Sequence, residues 1–120
     1  SMNLALWIVS GLLAFSMFGA GAMKVVTPRV KLALKMKWAA TWSDSNVKLL
    51  GLAEVLGAIG LIVPQATGIL PILTPIAAIC VLILMAGAVK THVDFKEPVV
   101  APVIFALMCV FVAIGRFGIL

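Results

Sequence analysis

The stretch Leu49-Leu50-Gly51-Leu52-Ala53-Glu54-Val55-Leu56-Gly57-Ala58-Ile59-Gly60-Leu61-Ile62-Val63 decides how the chain is read. It is apolar or small throughout except for Glu54. A carboxylate in such a run costs several kcal/mol unless it is paired or neutral. Two conclusions follow. The run belongs inside a bilayer or a large core, and Glu54 is a candidate for function, because an ionisable group in a membrane segment is expensive to keep.

The rest of the chain chooses the bilayer. Of 120 residues 64% are hydrophobic and only 11% charged, against roughly a quarter charged in soluble domains. A soluble domain of this size lacks the interior to hide so much apolar surface. Four apolar runs are evident: about 3–23, 47–63, 71–89 and 99–115. Each has the roughly 17 to 21 residues that a helix needs to cross the hydrocarbon layer. Continuous runs of this kind span as helices, which satisfy every backbone group internally. The expectation is one all-α domain over residues 1–120, an integral membrane bundle of four transmembrane helices, antiparallel and up-down. A short interfacial segment lies within residues 24–46. The first run is too long for a signal h-region, and basic residues follow it, so it reads as an anchor.

Charge sets the orientation. The net charge is +5. Lys24, Arg29, Lys31, Lys35, Lys37 and Lys48 lie between runs one and two, and Lys90 and Lys96 between runs three and four. Only Arg116 lies on the other side. The positive-inside bias places both basic loops in the cytoplasm and both termini outside. The lysines thus serve topology, and no aromatic-basic platform for nucleic acid is present.

The segment Arg29–Trp42 has two patterns. Val30, Leu32, Leu34, Met36 and Trp38 alternate with polar or small residues as in a strand, whereas Val30, Leu34, Trp38 and Trp42 share i, i+4 spacing. A lone strand would leave unpaired edges, so a short interfacial helix starting at Pro28 is expected. Trp38 and Trp42 suit the headgroup belt, or alternatively the mouth of a ligand site. Cys80 and Cys109 sit in separate runs and read as small buried hydrophobes.

Glu54 lies about 9 Å along the second helix from Lys48 at 1.5 Å per residue. Runs one and three end at Lys24 and at Lys90–His92 on the same side. Lys24 or His92 can therefore turn inward and offset the cost of burying Glu54. Such a group either fixes helix packing, floors a ligand pocket or carries protons. His92 reads as a loop residue near the headgroups and Arg116 as a cation extended to the opposite ones. No phosphate loop, Ser-His-Asp set or metal cluster occurs, so neither cofactor nor metal is expected. The chain is not expected to be an enzyme on its own.

Several pieces in order carry a family resemblance: GAMKVVTP (Gly21–Pro28), KMKW (Lys35–Trp38) followed by Ser43, VKLLGLAEVLGAIGLIVP (Val47–Pro64), LTPIAA (Leu73–Ala78), GAVKTH (Gly87–His92) and GRFG (Gly115–Gly118). Together they resemble the DoxX-like family of small bacterial membrane proteins. The resemblance implies a four-helix membrane fold in a bacterial inner membrane, with Lys24, Glu54 and His92 at the family's recurring polar positions. Some relatives are associated with oxidoreductase complexes and an animal branch assists assembly of ligand-gated channels. A distant relation to sterol-isomerase-like and sigma-2-receptor-like proteins implies a hydrophobic ligand between the helices.

The leading expectation is a non-enzymatic membrane protein. It binds a hydrophobic small molecule or a partner membrane protein through Glu54, Lys24, His92, Trp38 and Trp42 near the cytoplasmic side. The alternatives are a membrane subunit of a quinone- or thiol-linked oxidoreductase and a small proton-coupled exporter. Besides the bilayer, a second copy of the chain is a partner left open.

Overall fold

The computed structural model describes residues 1–119. The described chain is all-α: α1 (Met2–Val26), α2 (Arg29–Leu32), a 3-10 turn (Lys37–Thr41), α3 (Asp44–Thr67), α4 (Leu73–Asp94) and α5 (Val100–Arg116), with no strand among the described residues. Three of these, α1, α3 and α4, are long and apolar enough to cross a membrane, and α5 is a shorter apolar helix. The α-carbons extend 43 Å along the longest axis.

The faces of α1 show what solvent the fold is built for. Leu6, Ser10, Leu13, Ala14, Met17, Gly21 and Lys24 are buried. Leu4, Ile8, Leu12, Phe15 and Phe18 are exposed, Phe15 at 84%. Apolar surface displayed on this scale would drive aggregation in water, whereas lipid covers it without penalty. The interior is correspondingly lined by small residues. Ala14, Ala58, Ala77, Ala78 and Ala113 join Leu13, Met17, Leu61, Val81, Met85, Cys109 and Val112 in one core drawn from α1, α3, α4 and α5. Cys109 is buried there, but Cys80 is exposed on α4. The expectation that both cysteines are buried is therefore corrected for Cys80.

Small residues bring α1 and α3 together. A Cβ on Gly51 would lie 2.6 Å from the carbonyl oxygen of Gly21 and 2.7 Å from the Cβ of Lys24. Only hydrogen fits at this crossing, as at other membrane helix contacts built on small residues.

Proline and its consequences mark the α3–α4 connection. The apolar run stops at Pro64, yet α3 continues through it to Thr67. Pro64 has no N–H to offer the carbonyl of Gly60 one turn earlier. That carbonyl instead accepts from the Oγ1 of Thr74, 3.1 Å away on α4 and fully buried. Helix α3 then ends on Gly68, whose φ of 71° lies in the left-handed region that glycine enters freely. Pro75 and Pro102 occupy the first turns of α4 and α5, where a missing N–H leaves no bond broken.

The segment after α1 is neither one helix nor a strand. Pro28 caps the single turn Arg29–Leu32, and the chain then turns into the 3-10 piece carrying Trp38. Arg29 Nη1 donates to the carbonyl oxygens of Ala39 and Ala40 at 3.3 and 3.4 Å, holding that piece against α2. Leu32, Ala39 and Val47 form a small second core beneath it, against Met23, Met36 and Trp38. The expected continuous interfacial helix is thus corrected: of the i, i+4 set only Trp38 packs on this local core, while Val30 and Leu34 are exposed, and the chain breaks so that Leu32 and Ala39 are buried instead.

A buried ion pair at a cavity

Glu54 is 4% exposed and Lys24 6%. Lys24 Nζ lies 2.8 Å from Glu54 Oε1. Backbone geometry makes this meeting possible. Side chains on a helix lean toward its N-terminus. Lys24, near the end of α1, therefore leans back toward the middle of α1. Glu54 leans toward the start of α3. The Gly21–Gly51 crossing seats the Cβ of Lys24 beside Gly51, one turn before Glu54. A lysine at a helix end ordinarily extends toward the headgroups; this one is directed inward.

The ion pair does not exhaust the carboxylate. The Nζ–Oε1 approach is close enough for charge pairing but lies outside hydrogen-bonding angles, and buried Oε1 has no hydrogen-bond donor. A buried acceptor without a donor is costly.

Oε1 belongs to a residue on the wall of a cavity of about 410 Å³. This size is within the range of small-molecule sites. The wall comes from five segments: Met17 and Lys24 of α1, Met36, Trp38 and Trp42 of the interhelical segment, Leu50 and Glu54 of α3, one face of α4 that includes Ile83, Met85, Gly87, Thr91 and His92, and Ala101, Pro102 and Phe105 of α5. All five residues singled out in the sequence, Glu54, Lys24, His92, Trp38 and Trp42, line it. The two indoles meet edge to face, with centroids 5.0 Å apart and an interplanar angle of 69°.

His92 stands in the last turn of α4 and not in a loop. The helix continues beyond Val89 to Asp94 and ends on Lys96, whose φ is 56°, with the Glu97 N–H donating to the His92 carbonyl. The side chain is tied as well. Nδ1 lies 2.6 Å from the carbonyl oxygen of Pro98, so Nδ1 carries the proton and donates. The imidazole thereby fastens α4 to the approach of α5 and does not reach the Glu54 carboxylate as a partner. Of the two candidates for pairing with Glu54, the structure selects Lys24.

Several contributors to the wall were not singled out from sequence: Met36, Leu84, Thr91, Ala101, Pro102 and Phe105. They come from three different segments, so no periodicity marks them. Among the described residues the lining contains one hydroxyl, Thr91, which donates to the Gly87 carbonyl at 3.0 Å. It is not hydrogen-bonded to a base, so no activated nucleophile is assembled. No group of three or more His, Cys, Asp or Glu side chains gathers among the described residues.

At the other end Arg116 does not extend away from the fold. Its Nη1 donates to Asn3 Oδ1 at 2.9 Å, and its guanidinium carbon sits 5.2 Å from the centroid of the Trp7 ring. The expected snorkelling is corrected: the N-terminal turn of α1 supplies an amide and an aromatic face within reach. Asp94, the last residue of α4, pairs with Lys90 at 2.8 Å in an exposed contact.

No curated protein and no solved structure matches the chain. A sequence profile of the DoxX-like family matches residues 8–114, a span that contains Lys24, Trp38, Trp42, Glu54 and His92 and stops short of Arg116. With apolar helices built for lipid and this profile covering most of its length, the chain is a membrane protein of the DoxX-like family.

Proposed function

We propose that this protein is a non-enzymatic membrane protein that holds a hydrophobic small molecule in the cavity above the Lys24–Glu54 pair. The observation that carries this reading is the composition of the wall: a mostly apolar, half-open cavity of about 410 Å³ with one buried ion pair on its wall. Binding sites for small molecules have this character, mostly apolar with a few fixed polar groups. A partner membrane protein inserting an apolar side chain into the same cavity is the second form of this reading.

The reading includes the placement in the membrane. Four crossings, up and down, are formed by α1, α3, α4 and α5. With 17 residues, α5 is at the short end of the roughly 17–25 that span a bilayer. The basic residues flank the cavity end, so the cavity lies toward the cytoplasm and both termini outside. A bacterial inner membrane is the location that suits the family. The fold is a single domain, with residues 27–43 lying at the membrane surface.

Gly87 provides the test. It lines the cavity, and a Cβ added there meets no atom within 4 Å. Gly87→Leu narrows the cavity while raising helix propensity, so folding is retained. Native mass spectrometry of the protein from lipid nanodiscs should show a co-purified apolar molecule in the wild type. The adduct should be reduced at least several-fold in Gly87→Leu and in Glu54→Gln. Equal occupancy in all three proteins, or none in any, would overturn the reading.

A further inference from the structure

The chemistry of the ion pair specifies the polar end of the occupant. This inference rests on the cavity being a ligand site. Glu54 Oε1 is buried, has no hydrogen-bond donor and belongs to a residue on the cavity wall. The neighbouring Lys24 ammonium carries three donors in all. A group that satisfies both must donate to the carboxylate and accept from the ammonium. It must also be neutral, because the two charges already balance each other.

Charged alternatives fail on electrostatics. A ligand ammonium would satisfy Oε1 but would be held beside Lys24, and like charges in a low-dielectric enclosure repel strongly. A ligand carboxylate would pair with Lys24 but would face Glu54 and leave Oε1 without a donor. An ether or ester accepts only. A hydroxyl both donates and accepts, and its small size leaves the remaining volume for an apolar body. We propose that the occupant is a neutral apolar alcohol whose hydroxyl donates to the Glu54 carboxylate and accepts from Lys24 Nζ, with its hydrocarbon part running between Trp38, Met85 and Phe105.

Trp38 and Trp42 lie on the wall and serve as reporters. The full-length protein in nanodiscs, carrying Trp7→Phe to remove the distant indole, is titrated with four terminally brominated decyl probes. They end in an alcohol, a methyl ether, an amine or a carboxylic acid. Bromine quenches tryptophan emission on contact, so saturable quenching reads occupancy.

The alcohol should saturate at a concentration at least about tenfold lower than the ether, the worth of one hydrogen bond to a charged group. In the double variant Lys24→Met, Glu54→Leu, which removes both charges together and so leaves neither unpaired, the two probes should saturate alike. An ether equal to the alcohol in the wild-type cavity, or an amine or acid that outbinds it, would overturn the alcohol assignment while leaving the cavity a ligand site. Absence of saturable quenching by all four probes would overturn the ligand-site reading itself. A preference for alcohol that persists in the double variant would place the recognition elsewhere and sink the proposal.

Discussion

Lys24 and Arg116 are set the same problem at opposite ends of the molecule: a cation close to the end of an apolar helix. The solutions differ. Arg116 folds onto Trp7 and Asn3 of α1, a ring and an amide, both uncharged. Among the described residues no acid takes part, and the contact closes α1 against α5. Lys24 is directed into the bundle and meets an acid, and beside the pair the helices leave a cavity of about 410 Å³. If neutralising a cation were the only requirement, the Arg116 arrangement would suffice at both ends. An acid buried ten residues inside α3 is the more expensive solution, and it stands where space is left for something else.

This contrast can be broken most sharply at Lys24. Lys24→Met alone strands Glu54 as an unpaired buried charge and should cost about 3–5 kcal/mol, the usual loss when one partner of a buried pair is removed. Removing Glu54 as well, in Lys24→Met, Glu54→Leu, should restore most of that stability, since well-packed apolar replacements of a buried pair are often neutral. Unfolding by denaturing detergent in mixed micelles measures both. A single variant as stable as the wild type would mean that the pair is not a commitment of the fold.

A smaller effect is expected at the crossing that seats the pair. In Gly21→Ala the added methyl meets the backbone of α3 at Gly51 and the start of Val55. Backbone cannot yield as a side chain does, so overpacking should cost about 1–3 kcal/mol. The same change separates Lys24 from Glu54, so occupancy of the cavity should fall in parallel with stability. Occupancy unchanged in a destabilised Gly21→Ala protein would detach the crossing from the site.

The least change belongs to the other end. Arg116→Gln removes a cation–ring contact that is worth about 0.5–1 kcal/mol where solvent reaches it. It should leave cavity occupancy as in the wild type, measured by the same native mass spectrometry. A loss of occupancy as large as that of Glu54→Gln would show that the two ends are coupled and not contrasted.

Much of this was legible in the residues alone. Continuous apolar runs demand helices in lipid whatever they pack against, because no other element satisfies its backbone there. Glu54 stood out for the same reason, as the one group in its run that lipid cannot solvate. Lys24 and His92 were both legible as partners, since counting residues along helices gives depth. Depth did not choose between them. Less was legible in Arg29–Trp42, where strand and helix spacings coincide and Arg29 capping two carbonyls decides the path. Pro64 was misleading as a stop signal, because Thr74 on α4 supplies the bond that proline forfeits.

Solvent and element type were thus determined by the sequence itself, through hydropathy, which is a local and additive property. The choice of Lys24 over His92, the gathering of two indoles with an acid, and the cavity between them were decided only when the helices packed. Those outcomes depend on which faces meet and how closely. The distance of closest approach was set by a pair of glycines thirty positions apart, and no window along the chain contains both at contact.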